Sequence, residues 1–251
     1  MTEISDAHSA QTSLKGRRAI VTGGTTGIGR AVAVLLAAEG AHVYLVGTDQ
    51  AHLDDALARV REVGTGDGGL FDLSQPDQVG AAVDAASAAL GGYDVVVANA
   101  AEAASGVTEM DEAALLHAIA LNFTHYLLLT QRAARDLRAG DVVMIGSTSA
   151  YVLGPHSTVY AGIKSGLQGF SIALRRELGP RGVRVALVEP GLTGSDMQLP
   201  DLSPEKQREM IGEEKMLRAE DIAVGVHYLL TQPRRAVIQR LTISPRVQDG
   251  D

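Results

Sequence analysis

The sequence predicts one α/β domain: a doubly wound parallel sheet of about seven strands with helices on both faces. Three observations predict it. Short apolar runs alternate with amphipathic helical stretches along the whole chain. Those runs are nearly continuously apolar, as strands buried on both faces must be. The first of them empties into a glycine-rich turn that opens directly onto a helix. The chain has 251 residues, an apolar fraction of 45% and neither a composition break nor an internal repeat, so a single domain accommodates it.

Taken in order, residues 1–14 are polar, lack the apolar core of a signal peptide and read as a flexible tail before a domain spanning 15–251. Arg18-Ala19-Ile20-Val21 is the first strand, and Thr22-Gly23-Gly24-Thr25-Thr26-Gly27-Ile28-Gly29 the turn into a helix over Ala31–Glu39. Free backbone N–H groups and the helix dipole make such a turn an anion site suited to a pyrophosphate, and Gly23, Gly27 and Gly29 let the backbone come close. His42–Val46 reads as a second strand, leading to Gly47-Thr48-Asp49 where a ribose would be read. A helix over His52–Glu62, a short strand over Gly69–Leu73, a helix over Pro76–Leu90 with its proline in the first turn, and a strand over Asp94–Ala98 follow. Beyond Asn99-Ala100-Ala101, a long helical stretch covers Asp111–Arg138. The remaining elements are a strand ending at Ile145, a helix over Val159–Leu178, a strand over Val183–Val188 closed by Pro190-Gly191, a helix over Glu220–Leu230 and a strand over Val237–Ile243.

Composition removes several function classes. Aromatics are 4% with no tryptophan and the net charge is −8, which disfavours nucleic acid. Without cysteine there is no disulfide framework or thiolate metal site, and the seven histidines form no helical metal-ligand spacing, so no metal is expected. No apolar run reaches the ~18 residues of a membrane span, so a cytoplasmic protein without a membrane partner is expected.

The stretch Ser147–Lys164 carries the chemistry. Tyr160 and Lys164 are four apart and share a helix face. Ser147 lies thirteen positions before Tyr160, at the end of the run Val142–Ile145. A free phenol titrates near ~10, and a neighbouring ammonium favours the phenolate, which makes Tyr160 a usable general acid or base. Ser147 can donate to an oxygen that gathers charge during hydride transfer. By itself the pair is equally a surface helix carrying a tyrosine and a lysine, and support must come from the rest of the chain.

With the glycine turn, Asn122 and the Ser–Tyr–Lys set on one chain, the sequence resembles the short-chain dehydrogenase/reductase family, of Rossmann-type fold, from Gly16 to about Arg246. The resemblance implies catalytic roles for Asn122, Ser147, Tyr160 and Lys164, with Asn122 holding a water for proton relay. It implies a nicotinamide coenzyme held by Gly23, Thr25, Thr26, Gly27, Ile28, Gly29, Thr48, Asp72, Leu73, Asn99, Ala100, Tyr160, Lys164, Pro190, Gly191, Leu192 and Ser195. The activity expected is hydride transfer between NAD(P)(H) and a carbonyl or secondary alcohol of a small molecule. Relatives that use NAD carry an acid where Gly47 stands; its absence, with the hydroxyls of Thr25, Thr26 and Thr48, leans toward NADP(H). Ala101 replaces a family glycine, which keeps open a non-catalytic dinucleotide-binding sensor or scaffold. A methyltransferase would explain the glycine turn but not the Tyr–Lys pair. Glu102 is expected in solvent. Tyr151 and His156 border the expected substrate region, and 192–216, with Met197, Met210 and Met216, reads as a lid. A homodimer or homotetramer through the helices Asp111–Arg138 and Val159–Leu178 is implied by family analogy.

Overall fold

The computed structural model describes residues 11–153, 155–199 and 201–247. Residues 1–10 of the expected tail, Gly154 in the Ser147–Lys164 stretch, and Pro200 in the expected lid lie outside them. Seven strands form one parallel sheet: β1 (Arg18–Thr22), β2 (His42–Gly47), β3 (Thr65–Leu70), β4 (Val95–Ala98), β5 (Gly140–Ile145), β6 (Val183–Pro190) and β7 (Arg240–Ile243). Their spatial order is β3-β2-β1-β4-β5-β6-β7. The order reverses between β1 and β4, so a crevice opens there at the carboxyl ends of the strands.

Helices cover both faces. On one side α1 (Gly27–Ala38), α2 (Gln50–Val63) and α8 (Ala219–Leu230) pack Val32, Leu36, Leu57 and Val226 against Val21, Val43 and Val97. On the other, α3 (Pro76–Leu90), α5 (His125–Asp136) and α6 (Thr158–Leu178) pack Val83, Tyr126, Leu129 and Leu167 against Ile20, Val96 and Met144. The two remaining α-helices among the described residues are α4 (Glu112–Ile119) and α7 (Pro204–Gly212).

Five expectations need correction. The third strand is Thr65–Leu70, not Gly69–Leu73. Its glycines conceal it from propensity, yet a Cβ at Gly66 would lie 2.5 Å from Val60 Cγ1 and one at Gly68 2.7 Å from Leu53 Cδ1. Strand β3 needs glycine so that α2 can seat on it. The stretch 111–138 is two helices joined by a π-helical turn at Ala120–Thr124, and the last strand begins only at Arg240. Docking also starts before residue 15: Leu14 is 2% exposed in the α1–α2 core, and Thr12 N–H donates to Thr231 O at 2.8 Å. Finally, Glu112–Asp136, 25 residues, is long and apolar enough to cross a membrane by length and composition, although no uninterrupted run announced it. Here its α5 half is packed onto the sheet through Tyr126, Leu129 and Ala133.

Candidate active site

The crevice is a cavity of about 1120 Å³ running across the carboxyl ends of β1, β2, β4, β5 and β6. Its floor is set by β1. Thr22 Oγ1 accepts the N–H groups of Asn99 (2.9 Å) and Ala100 (3.2 Å), which ties the end of β4 to the start of the glycine turn. Asn99 Nδ2 donates to Thr22 O at 3.0 Å and Gly23 O at 3.1 Å, so the amide braces the turn. Gly29 stands behind the turn, where a Cβ would fall 2.0 Å from Gly23 O. Thr26 is the N-cap residue of α1, but its side chain caps nothing and the first turn holds no acid. Among the described residues, no side chain caps the leading N–H groups of this twelve-residue helix, which stand beside a cavity lined by Thr26, Gly27 and Ile28. That arrangement fits the pyrophosphate of a dinucleotide.

Most of the coenzyme residues expected from sequence line this one cavity: Gly23, Thr25, Thr26, Gly27, Ile28 and Thr48 toward β1 and β2, with Leu73, Asn99 and Ala100 beside them. Pro190, Gly191, Leu192 and Ser195 line its other end. Gly29 and Asp72 do not line it. The Asp72 carboxylate accepts Ser74 Oγ (2.6 Å) and Ser74 N (3.0 Å), and these bonds hold its pKa below the usual carboxylate value while bracing the entry to α3.

Ser147, Tyr160 and Lys164 meet on one wall. Ser147 follows β5, with its Oγ accepting Ser149 N–H at 3.1 Å. Tyr160 and Lys164 project from α6 one turn apart, and Lys164 Nζ sits 5.3 Å from the Tyr160 ring centroid. Burial pushes the Tyr160 phenol up to about 12, opposed by a hydrogen bond with Ser147. Burial also pulls Lys164 down to about 7, which weakens its hold on the charge that would favour the Tyr160 phenolate. That qualifies the simple expectation that the ammonium depresses the phenol.

Asn122 does not line the cavity; it sits behind, fully buried, in the π-helical turn. Its Oδ1 accepts Glu102 N–H at 3.0 Å, while Nδ2 is buried without a partner among the described residues. Glu102 is both wall and surface: it lines the cavity, its side chain is 39% exposed and it pairs with His117 at 3.2 Å. His156 lines the mouth and pairs with Glu109, whereas Tyr151 is exposed and away from the lining. Met197 and Met210 line the cavity, while Met216 is buried beneath it.

Sequence reasoning missed Gln207 and Val247. Gln207 staples the segment over the cavity: Oε1 accepts Ser195 N–H (3.0 Å) and Nε2 donates to Leu202 O (3.0 Å) and Ser195 O (3.3 Å). Val247 reaches the cavity from the far end of the chain, held by its N–H to Glu214 O at 3.0 Å. A polar residue in a surface-type helix and an apolar one near the terminus carry no local signal of either role.

Known proteins share this frame. Residues 17–206 match the short chain dehydrogenase family. The chloroplastic NADPH-dependent aldehyde reductase 1 of Arabidopsis thaliana is 31% identical over 228 residues, 86% of this chain and 79% of that protein. A short chain dehydrogenase from Burkholderia cenocepacia J2315, solved in complex with NADP, is 30% identical with a TM-score of 0.83, covering 93% of this chain and 98% of that one. A dehydrogenase/reductase from Sinorhizobium meliloti 1021 is 33% identical with a TM-score of 0.82, covering 92% and 95%. A seven-stranded parallel sheet, a glycine turn at its switch point and this extent of likeness together assign the chain to the short-chain dehydrogenase/reductase family of oxidoreductases.

Proposed function

We propose that the protein transfers hydride between NAD(P)(H) and a carbonyl or secondary alcohol of a small organic molecule, in the manner of a ketoreductase or alcohol dehydrogenase. The observation that carries this reading is the meeting of Ser147, Tyr160 and Lys164 on one wall of a cavity whose other end is the glycine turn. When bound, the coenzyme supplies or accepts the hydride. Ser147 donates a hydrogen bond to the substrate oxygen. Tyr160 is protonated throughout the neutral range because burial holds its pKa up, so it stands ready as the acid. It protonates the developing alkoxide, which is more basic than a phenolate. Lys164 carries charge next to the phenol as the proton leaves, and Asn122, with a free buried N–H pair, holds the water through which Tyr160 is reprotonated. The Gln207-stapled segment 192–216 closes over the substrate and excludes bulk water.

NADP(H) is the preferred coenzyme in this reading. A Cβ at Gly47 would lie 2.4 Å from Thr25 Cγ2, which leaves no room for the ribose-binding carboxylate of NAD users. The Asp49 carboxylate caps α2 by accepting His52 N–H at 2.8 Å, and the hydroxyls of Thr25, Thr26 and Thr48 remain to meet a 2′-phosphate. The Arabidopsis relative is named for NADPH and the Burkholderia structure holds NADP, which supports the same choice. Exposed Leu116 and Ile119 on α4 and Ile172 on α6 support a homodimer or homotetramer through these helices.

Fluorescence titration with NADPH and NADH, followed by a panel of ketones, aldehydes and secondary alcohols, tests the reading. Tighter binding of NADPH and turnover of at least one panel member are expected. Coenzyme binding with no turnover of any member would favour a dinucleotide sensor or scaffold, and failure to bind either coenzyme would defeat both readings.

A further inference from the structure

Ile145 ends β5, and its carbonyl has lost its strand partner. Gly146 N–H, the next group along, bonds Val188 O of β6, so the polar groups of Ile145 face β4. There β4 has ended at Ala98, opposite Met144, and Asn99 has turned its N–H to the Thr22 hydroxyl. A buried carbonyl in that position needs other donors. Two side chains supply them: Tyr126 Oη at 3.2 Å and Lys164 Nζ at 3.1 Å. The Tyr126 ring also faces the amine, with Nζ 5.4 Å from its centroid against 5.3 Å to that of Tyr160. Lys164 is thus held between two phenol rings and anchored on one oxygen. The other titratable group facing this spot is His125, whose Nδ1 donates to Leu121 O and which burial keeps neutral. Tyr126 is 0% exposed and does not line the cavity.

We propose that Tyr126 is a positioning residue for Lys164, its hydroxyl and ring face together fixing where Nζ stands relative to Tyr160. The inference rests on the roles proposed above for Tyr160 and Lys164. With the hydroxyl present, the Ile145 oxygen is shared between two donors. Without it, Lys164 becomes the sole donor to that oxygen and shifts toward it, away from the phenol it serves.

The test compares Tyr126→Phe, which keeps ring and volume, with Thr130→Val. Thr130 also lies on α5 and also makes a buried hydrogen bond, to Tyr126 O at 2.7 Å, but its side-chain hydrogen bonds among the described residues go to Tyr126 O and Leu127 O and not to Lys164. The chain has only four lysines, so ¹³Cε labelling gives four signals, and Lys164→Arg assigns the one that matters. Ring currents should set the Lys164 signal apart from the rest. Tyr126→Phe should move that signal in the coenzyme-free protein. It should also shift the rising limb of the pH profile for alcohol oxidation by ~0.5 units or more to higher pH, as the ammonium recedes from Tyr160. NADPH affinity should stay within about threefold of the wild type. Thr130→Val should lower the melting temperature and leave both readouts in place. A Tyr126→Phe protein that matched Thr130→Val in all these respects would overturn the proposal. Failure of the underlying reading looks different: Tyr160→Phe would remain active while the Lys164 signal still responded to Tyr126.

Discussion

Replacing Gly29 with alanine tests the physical basis of the glycine turn. The new Cβ would lie 2.0 Å from Gly23 O and 2.6 Å from Asn99 Nδ2. A carbon cannot approach a carbonyl oxygen closer than about 3 Å, so the Gly23 peptide must retreat by roughly 1 Å. Such overpacking costs ~1–3 kcal/mol, and the better helix propensity of alanine returns up to ~1 kcal/mol. A net loss of ~1–2 kcal/mol corresponds to a fall of about 2–8 °C in melting temperature for a domain of this size. Coenzyme binding should suffer more, because the displaced peptide belongs to the turn proposed to meet the pyrophosphate. Loss of one charge-assisted hydrogen bond, ~1.5–3 kcal/mol, weakens binding by roughly ten- to a hundredfold. Differential scanning fluorimetry and NADPH fluorescence titration on the purified variant measure both. Wild-type NADPH affinity in Gly29→Ala would refute the placement of the pyrophosphate on this turn.

Other outcomes follow from the same contacts. Gly80 lies within α3 with nothing inside 4 Å of a built Cβ, so Gly80→Ala should stabilise by ~1 kcal/mol and raise the melting temperature. Gln207→Ala frees Ser195 and Leu202 from their staple; the substrate KM should rise several-fold with kcat within about threefold, and an unchanged KM would count against a lid role. Buried His125 has its pKa pulled down to about 4 by desolvation, below the ~6.5 of an unfolded histidine. Its contribution to stability is therefore present above pH ~6.5 and lost as pH falls toward 4, by roughly 3 kcal/mol at most. Urea melts across that window should show a shallower acid-side decline for His125→Leu than for the wild type, and parallel declines would exclude His125 as the cause.

The sequence revealed the fold wherever local signals and tertiary demands agreed. Strands β1, β2, β5 and β6 are runs of valine, isoleucine and leucine that only a doubly covered sheet would use, and Pro76 marked the start of α3. Strand β3 was displaced because Gly66 and Gly68 are chosen by the approach of α2, a requirement that strand propensity does not express. The π-helical turn at Ala120–Thr124 looks like ordinary helix in sequence, since one extra residue per turn leaves the apolar pattern almost intact. At the site, residue types with specific chemistry were legible: the turn, Ser147, Tyr160 and Lys164. The residues that hold them were not. Asn99 and Asp72 also brace loops, and the bonds of Gln207 to Ser195 and of Tyr126 to Ile145 carry no local sequence pattern that marks them.

If the Tyr160 phenol passes its proton to the substrate oxygen as the adjacent carbon gains hydride, losing that phenol must slow the hydride step itself. Single-turnover oxidation of NADPH by Tyr160→Phe, with a carbonyl that the wild type reduces, reads that step alone. NADPH binding within a few-fold of wild type and a rate lower by about a hundredfold or more are expected. A variant that reduced the same carbonyl at the wild-type rate would contradict it.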